Sequence, residues 1–264
     1  MRPIAVFYHC MFSIGARTAS TIEPARPSLA PGVLPAAVGI VRSQMEALTR
    51  SGLLGAASRL FIGVNGGPEC FAIAAELFPP QAIVSFHGLG CHNELRTILM
   101  LERFVQEVTR LDSGTDWSVC YHHAKGASYP ATDEHSTKWR RCMQKHVIDG
   151  WRSCVDALDK EYDAAGAHYL APPLTPVDQR IFAGNFFWAR SRYLAEVTPL
   201  LERERLHLSG IDPLESRFEA EVYVGNSTRP PRIMDFHPKM TGGGFPTPGA
   251  FDGCETAIPE TKEA

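Results

Sequence analysis

The sequence predicts an α/β protein built on a Rossmann-type, mostly parallel sheet flanked by helices. Three observations carry this. Short apolar runs alternate with amphipathic stretches from the N-terminus to about residue 121, the rhythm of strand–helix–strand units. Glycine, proline and asparagine punctuate the junctions. Polar residues gather at the far ends of the apolar runs: His9, Asn65, His87, and the pair His122 and His123. In doubly wound sheets, chemistry collects at the C-terminal ends of strands.

The elements follow in order. Ile4 to Cys10 reads as a buried first strand. Residues 17–37 hold four prolines and read as a loop or lid. Val41 to Leu54 is a helix with Val41, Met45, Leu48 and Gly52 on one face. Arg59 to Val64 is a second strand, ending in the turn Asn65-Gly66-Gly67-Pro68. A helix from Glu69 to Phe78 stops at Pro79-Pro80, and Ala82 to Phe86 is a third strand. Asn93 caps a long helix to about Arg110, striped by Leu95, Ile98, Leu101, Val105 and Val108. Trp117 to Tyr121 is a fourth strand.

The second half changes character. Asp133 to Asp163 is a helical insertion broken near Gly150, with Asp159 and Asp163 on its surface. Pro172-Pro173 opens a loop, Phe182 to Arg190 is an aromatic strand, and Ser191 to Glu204 is a short helix. Arg217 to Gly225 is amphipathic and fits a helix or a strand. Residues 238–264 form a glycine- and proline-rich, loosely ordered tail.

Bulk properties narrow the function. The chain has 264 residues, enough to bury about three quarters of its unfolded surface. A net charge of −3 with 44% hydrophobic and 21% charged residues excludes a strongly basic nucleic-acid binder and a charged, disordered chain. There is no apolar run long enough to span a membrane, and the N-terminal run is too short for a signal peptide; peripheral membrane contact stays open. The seven cysteines (Cys10, Cys70, Cys91, Cys120, Cys142, Cys154 and Cys254) are scattered and include no CxxC pair. That pattern argues against a zinc ribbon or a disulfide framework, and for reduced, buried thiols in a cytoplasmic protein.

Three constellations stand out. In Tyr121-His122-His123-Ala124-Lys125-Gly126, a strand runs into cationic and hydrogen-bonding groups. Lys125 offers a point charge for phosphate, Gly126 a close backbone approach, and either histidine a base or metal ligand. The plainer reading is one packed histidine and a solvated lysine. Within Phe182 to Arg190, Asn185 needs partners if buried, and Phe187 and Trp188 offer stacking faces. Glu219 and Glu221 share a face only if they lie on a strand. The basic group Lys138, Arg140, Arg141 and Lys145 is either a solvated helix face or a phosphate grip. No P-loop, no GxGxxG after the first strand and no GxSxG elbow occurs, which argues against nucleotide kinases, ordinary dinucleotide dehydrogenases and α/β-hydrolases.

Tyr121-His122-His123-Ala124-Lys125-Gly126-Ala127-Ser128 resembles the Y-x-H-T-K-G-x-S signature of a group of bacterial glycosyltransferase-like proteins. Gly184-Asn185-Phe186-Phe187-Trp188-Ala189 with Tyr193, and Arg217-Phe218-Glu219-Ala220-Glu221-Val222-Tyr223-Val224-Gly225, are similar to two further blocks of that group, in the same order. The resemblance implies a GT-A-like fold, a nucleotide-sugar donor and a glycan or other hydroxyl acceptor. It implies one domain over residues 1–237, with a nucleotide-binding half (1–126) and an acceptor half (127–237). His9, Asn65, His122, His123, Lys125 and Gly126 would then face the donor, and Asn185 and Trp188 the acceptor. Glu221, with Glu219 second, would take the acceptor proton in an inverting displacement, with Lys125 offsetting the diphosphate charge.

GT-A enzymes carry an Asp-x-Asp motif for Mn²⁺ or Mg²⁺ where this chain has Tyr121 to Lys125, and the signature threonine is Ala124 here. A metal-free site is therefore expected, the alternative being a cation on His122 and His123; hard cations favour oxygen ligands. Two rival readings remain at this point: a metal-dependent hydrolase using His9, His87, His122 and His123, and a non-catalytic glycan-binding or assembly protein.

Overall fold

The computed structural model describes residues 2–12, 35–68, 70–87, 94–111, 114–127, 134–171, 180–200 and 220–237, together with 251 and 254. A seven-stranded, mostly parallel sheet lies between two helical layers, which is the fold class expected.

The strands are β1 (Ile4–Met11), β2 (Arg59–Asn65), β3 (Ile83–Phe86), β4 (Ser118–His123), β5 (Ala164–Gly166), β8 (Phe187–Arg190) and β9 (Ile233–Asp235), in the order β3-β2-β1-β4-β8-β5-β9. A separate antiparallel ribbon pairs β6 (Tyr169–Leu170) with β7 (Ile181–Phe182). β1 pairs in parallel with both β2 and β4, and β2 with β3; β8 runs antiparallel to β4 and β5. One sheet thus crosses the division at residue 126.

β1 is buried on both faces, so it reads as a continuous apolar run. Ile4, Val6, Tyr8 and Cys10 pack into one core with α1 (Pro35–Arg50), α3 (Cys70–Leu77), α5 (Glu134–Gln144) and α6 (Trp151–Asp159). Ala5 and Phe7 face the other core, under α4 (Leu95–Leu111) and α7 (Ser191–Leu194). The remaining short helix, α2, is Leu53–Ala56.

Several expectations need correcting. The first helix begins at Pro35, six residues early, because proline fits a helix's first turn; it ends where Gly52 turns left-handed (φ 78°). β4 extends to His123, so both histidines lie inside the strand. The expected aromatic strand is two strands, split where Gly184 (φ 91°) and Asn185 (φ 56°) reverse the chain. The helix after it stops at Leu194, and Val197 bridges to Ser227. The helical insertion ends at Asp159; Asp163 lies off it and is buried, bound through both oxygens by Arg229. Cys142 and Cys254 form a disulfide, against the expectation of reduced thiols, whereas Cys10, Cys70, Cys120 and Cys154 are buried thiols. Among the described residues, no helix is long and apolar enough to cross a membrane. The expected Asn93 cap and most of the tail lie outside the described residues.

Candidate functional site

The C-terminal ends of β1, β2 and β4 bring His9, Asn65, His122 and His123 to one edge of the sheet. On the register, His9 pairs with Gly63 on one side and His123 on the other. His87 follows β3 and donates its backbone N–H to the Val64 carbonyl. The organising group is one that sequence reasoning passed over: Glu94, at the start of α4.

Glu94 is buried, and three side chains from two distant segments converge on it. Tyr121 donates its hydroxyl to Oε2 at 2.8 Å, and Asn185 donates its amide to the same oxygen at 2.7 Å. His123 Nδ1 lies 3.3 Å from Oε1. The other ring nitrogen of His123 meets the Gly184 carbonyl at 2.8 Å. Both His123 nitrogens thus face acceptors, an arrangement that a doubly protonated imidazolium satisfies at both ends. Gln44 closes the network from α1, donating to the His123 carbonyl and accepting from the Tyr8 hydroxyl.

Beside this network, His9 Nδ1 shares a 2.8 Å hydrogen bond with the Thr97 hydroxyl on α4. Burial holds His9 far below the ordinary histidine range, at about 3, even though Glu94 acts in the opposite sense. His87 is lowered to about 4, first by burial and then by Arg96. Both rings are therefore neutral at pH 7.

The period of two along β4 sends His122 to the opposite face from His123. His122 is fully buried, stacked on Tyr8 at 4.4 Å between centroids and edge-on to Phe186. It belongs to the core and not to a donor pocket, and it cannot share a metal ion with His123.

Gly126 (φ 86°) brings the turn against α5: an added Cβ would lie 2.9 Å from Arg140 Nη1, so the close approach is to protein and not to a ligand. Lys125 Nζ lies 3.9 Å above the Trp139 ring, and Arg140 donates to the Lys125 carbonyl at 2.8 Å. Trp188 is wholly buried with its indole N–H on the Val147 carbonyl at 2.8 Å, leaving no face for an acceptor. Glu221 is buried on a helical turn leading into Tyr223–Gly225; Glu219 lies outside the described residues. Asn65 is buried at the end of β2, its carbonyl accepting from Phe12 N–H at 2.9 Å.

A hard divalent cation does not fit this edge as described. Among the described residues Glu94 is the one carboxylate of the network, and its other members are an imidazole, a phenol and amides, a poor set for a cation that takes about six oxygen ligands. Among the described residues, the groups with metal-ligand spacing lie elsewhere and include none of His9, His87, His122 or His123. The histidine-based hydrolase reading loses its site. At the opposite edge, a cleft of about 300 Å³ is lined by Arg190, Arg229 and Arg232, but Asp116, Asp163 and Glu161 pair with these arginines.

Comparison with known proteins gives a family and no activity. Residues 34–228 match the family described as a domain of unknown function, DUF8361, and the chain belongs to it. No curated protein matches. Among solved structures, a candidate nucleotide-diphospho-sugar transferase from Desulfovibrio desulfuricans G20 aligns at 12% identity and TM-score 0.39, over 89% of this chain and 80% of that one. Rv0371c from Mycobacterium tuberculosis H37Rv, in complex with manganese, aligns at 13% identity and TM-score 0.32, over 80% and 85%. A 4-diphosphocytidyl-2C-methyl-D-erythritol synthase aligns at 9% identity and TM-score 0.36, over 97% and 98%. These likenesses are too distant to carry chemistry.

Proposed function

We propose that this DUF8361 member is a transferase that moves a sugar from a nucleotide-sugar donor to a hydroxyl acceptor at the C-terminal edge of β1, β2 and β4. The observation that carries the proposal is the Glu94 network. A buried carboxylate held by Tyr121 and Asn185, and set against His123, is a prepositioned proton acceptor at the sheet edge where α/β folds bind ligands. The sequence blocks resembling the glycosyltransferase group support the same reading, because Tyr121, His123, Gly184 and Asn185, which build the network, belong to those blocks.

In this reading Glu94 takes the role first expected of Glu221. The acceptor oxygen attacks the anomeric carbon, the bond to the diphosphate breaks, and the hydroxyl proton passes to Glu94. The His123 ring, with Lys125 and Arg140 on the adjoining turn and helix, supplies positive charge toward the leaving diphosphate. A glycan is the acceptor class.

The test is a thermal-shift panel of nucleotides and nucleotide sugars, with and without Mn²⁺, followed by a donor-consumption assay. A ligand at a hundred times its dissociation constant stabilises by about 2.7 kcal/mol, which such a panel reads easily. Glu94→Gln is expected to lower turnover by about 10²–10⁴-fold, the range for a lost general base. If no nucleotide sugar shifts the melting temperature and no donor is consumed, the proposal fails.

A further inference from the structure

Away from the strand edge, five metal-ligating side chains from four parts of the chain converge. Cys142 lies on α5, and His146 lies one helical turn on, in the π-helical segment Lys145–Asp149. His168 precedes β6, His237 follows β9, and Cys254 comes from the C-terminal segment. The ligand atoms of Cys142, His168 and His237 all lie within 4.8 Å of one another, as do those of Cys142, His146 and Cys254. The His168 and His237 rings are 4.8 Å apart, and Cys254 Sγ is 3.5 Å from His146 Nε2.

Two further observations point to a ligand. His168 is fully buried, and among the described residues neither ring nitrogen has a hydrogen-bond partner, an arrangement that costs stability unless something binds there. Its backbone is also left-handed (φ 63°), a conformation uncommon outside glycine. That conformation is held from outside: one carboxylate, Asp235, accepts from the backbone N–H groups of His168, Tyr169 and His237 at 3.0 Å each. The ligand-bearing backbones are thus fixed by a common anchor, as in metal sites whose supporting groups orient the ligands.

We propose that the chain with Cys142 and Cys254 reduced binds one Zn²⁺ through Cys142, Cys254, His168 and His237, with His146 packed beside Cys254. Two thiolates and two imidazoles are a set that zinc takes tetrahedrally, and Cys142, Cys254 and His168 are buried, as ligands of structural zinc sites are. The site shares none of its ligands with the Glu94 network. Its effect is to tie the C-terminal segment to α5 and to the far edge of the sheet. In the oxidised chain the same two sulfurs are bonded to each other. A dithiol reductant opens that bond, delivering two electrons and two protons and itself becoming a disulfide. Zinc then displaces the two thiol protons.

The test uses the full chain, reduced with dithiol and then freed of it, and titrated with Co²⁺ and with Zn²⁺. Tetrahedral two-thiolate Co²⁺ is expected to show thiolate-to-metal charge transfer and intense visible d–d bands, lost on adding about one equivalent of Zn²⁺. Cys142→Ser and His168→Ala should each abolish the bands, and Cys70→Ala, whose thiol lies elsewhere in the core, should keep them. His237→Ala, at a part-exposed position, serves if the buried variants fail to fold, and should weaken Co²⁺ binding at least tenfold. The proposal is overturned if the reduced wild-type chain gives no thiolate charge transfer. It is equally overturned if the bands survive in folded His168→Ala and His237→Ala.

Discussion

Asn185 donates its side-chain amide to Glu94 across 91 residues of sequence, and it does so from a left-handed backbone at φ 56°. The two facts are linked. The Gly184-Asn185 reversal ends β7 and aims the amide at the carboxylate, and asparagine is among the few residues that accept this conformation at modest cost. Substitution can separate the two contributions. Asn185→Gly keeps the backbone and loses the amide; Asn185→Ala loses the amide and adds backbone strain. Both should lose about 1.5–3 kcal/mol for the hydrogen bond to a charged group, with alanine worse by about a further 1 kcal/mol. Urea midpoints of the two variants measure the difference. Equal midpoints would mean the backbone at 185 carries no strain.

Gly63 sits in β2 directly beneath the strand-end groups. A Cβ there would collide with the Thr97 hydroxyl and come within 2.7 Å of His87 Nε2. Thr97 is the hydrogen-bond partner of His9, so the collision falls on the candidate site and not only on the core. Gly63→Ala is expected to destabilise by about 1–3 kcal/mol through overpacking. It should also abolish any nucleotide-induced thermal shift, because the Thr97 hydroxyl must leave its place beside His9. A variant that keeps the wild-type ligand shift would show that the His9–Thr97 contact is outside the binding site.

The sheet was legible in the sequence because β1, β2 and β4 are buried on both faces and read as plain apolar runs. β5 was not, since Ala164-Ala165-Gly166 has no strand signal of its own and is held by its neighbours β8 and β9. The polar strand ends were visible, but their sorting was not: His122 and His123 are adjacent in sequence and part company only once β4 is known to include both. Glu94 was hidden because its partners, Tyr121, His123 and Asn185, lie 27 to 91 residues away. An acid at the start of a helix facing the strand ends was the one local hint. The Cys142–Cys254 bond spans 112 residues, and spacing alone cannot reveal such a pairing.

Asp163 joins β5 to the segment before β9. Burial alone would raise its pKa, but the two hydrogen bonds from Arg229 (2.7 and 3.0 Å) and the Arg232 backbone N–H at 2.8 Å outweigh this and hold it below the usual aspartate value of 3.8. A depressed folded pKa means that the unfolded chain binds the proton more readily. The contribution to stability is then complete above about pH 3.8 and is lost as pH falls through the lower folded value. Asp163→Asn should therefore cost stability at pH 7, and the cost should shrink at the acid end of that window. Denaturant midpoints at pH 7 and near pH 3 compare the two. A cost that stays constant with pH would assign the loss to packing instead of charge.

His122 makes the opposite case, a buried polar group whose removal should help. Among the described residues neither ring nitrogen has a hydrogen-bond partner, and the ring is enclosed by Tyr8 and Phe186. Burial first, then the neighbouring His123, lowers its pKa to about 3 from 6.5. Between those values the unfolded chain takes up a proton that the folded chain refuses, so stability falls as pH drops from about 6.5 toward 3. His122→Phe keeps the stacking and removes both the unsatisfied nitrogens and this proton. It should gain about 1–3 kcal/mol at pH 7, the cost of an unsatisfied buried group, less whatever the larger ring strains. Its stability should also fall less steeply in acid, by up to about 1.36 kcal/mol per pH unit, the equivalent of one proton. His9, His87, His146 and His168, also lowered by burial, keep their share of the acid slope. Urea unfolding of both chains from pH 7 to pH 4 tests this. An unchanged slope, or a destabilised phenylalanine variant at pH 7, would show that the His122 ring meets a need in the folded protein that a neutral aromatic cannot.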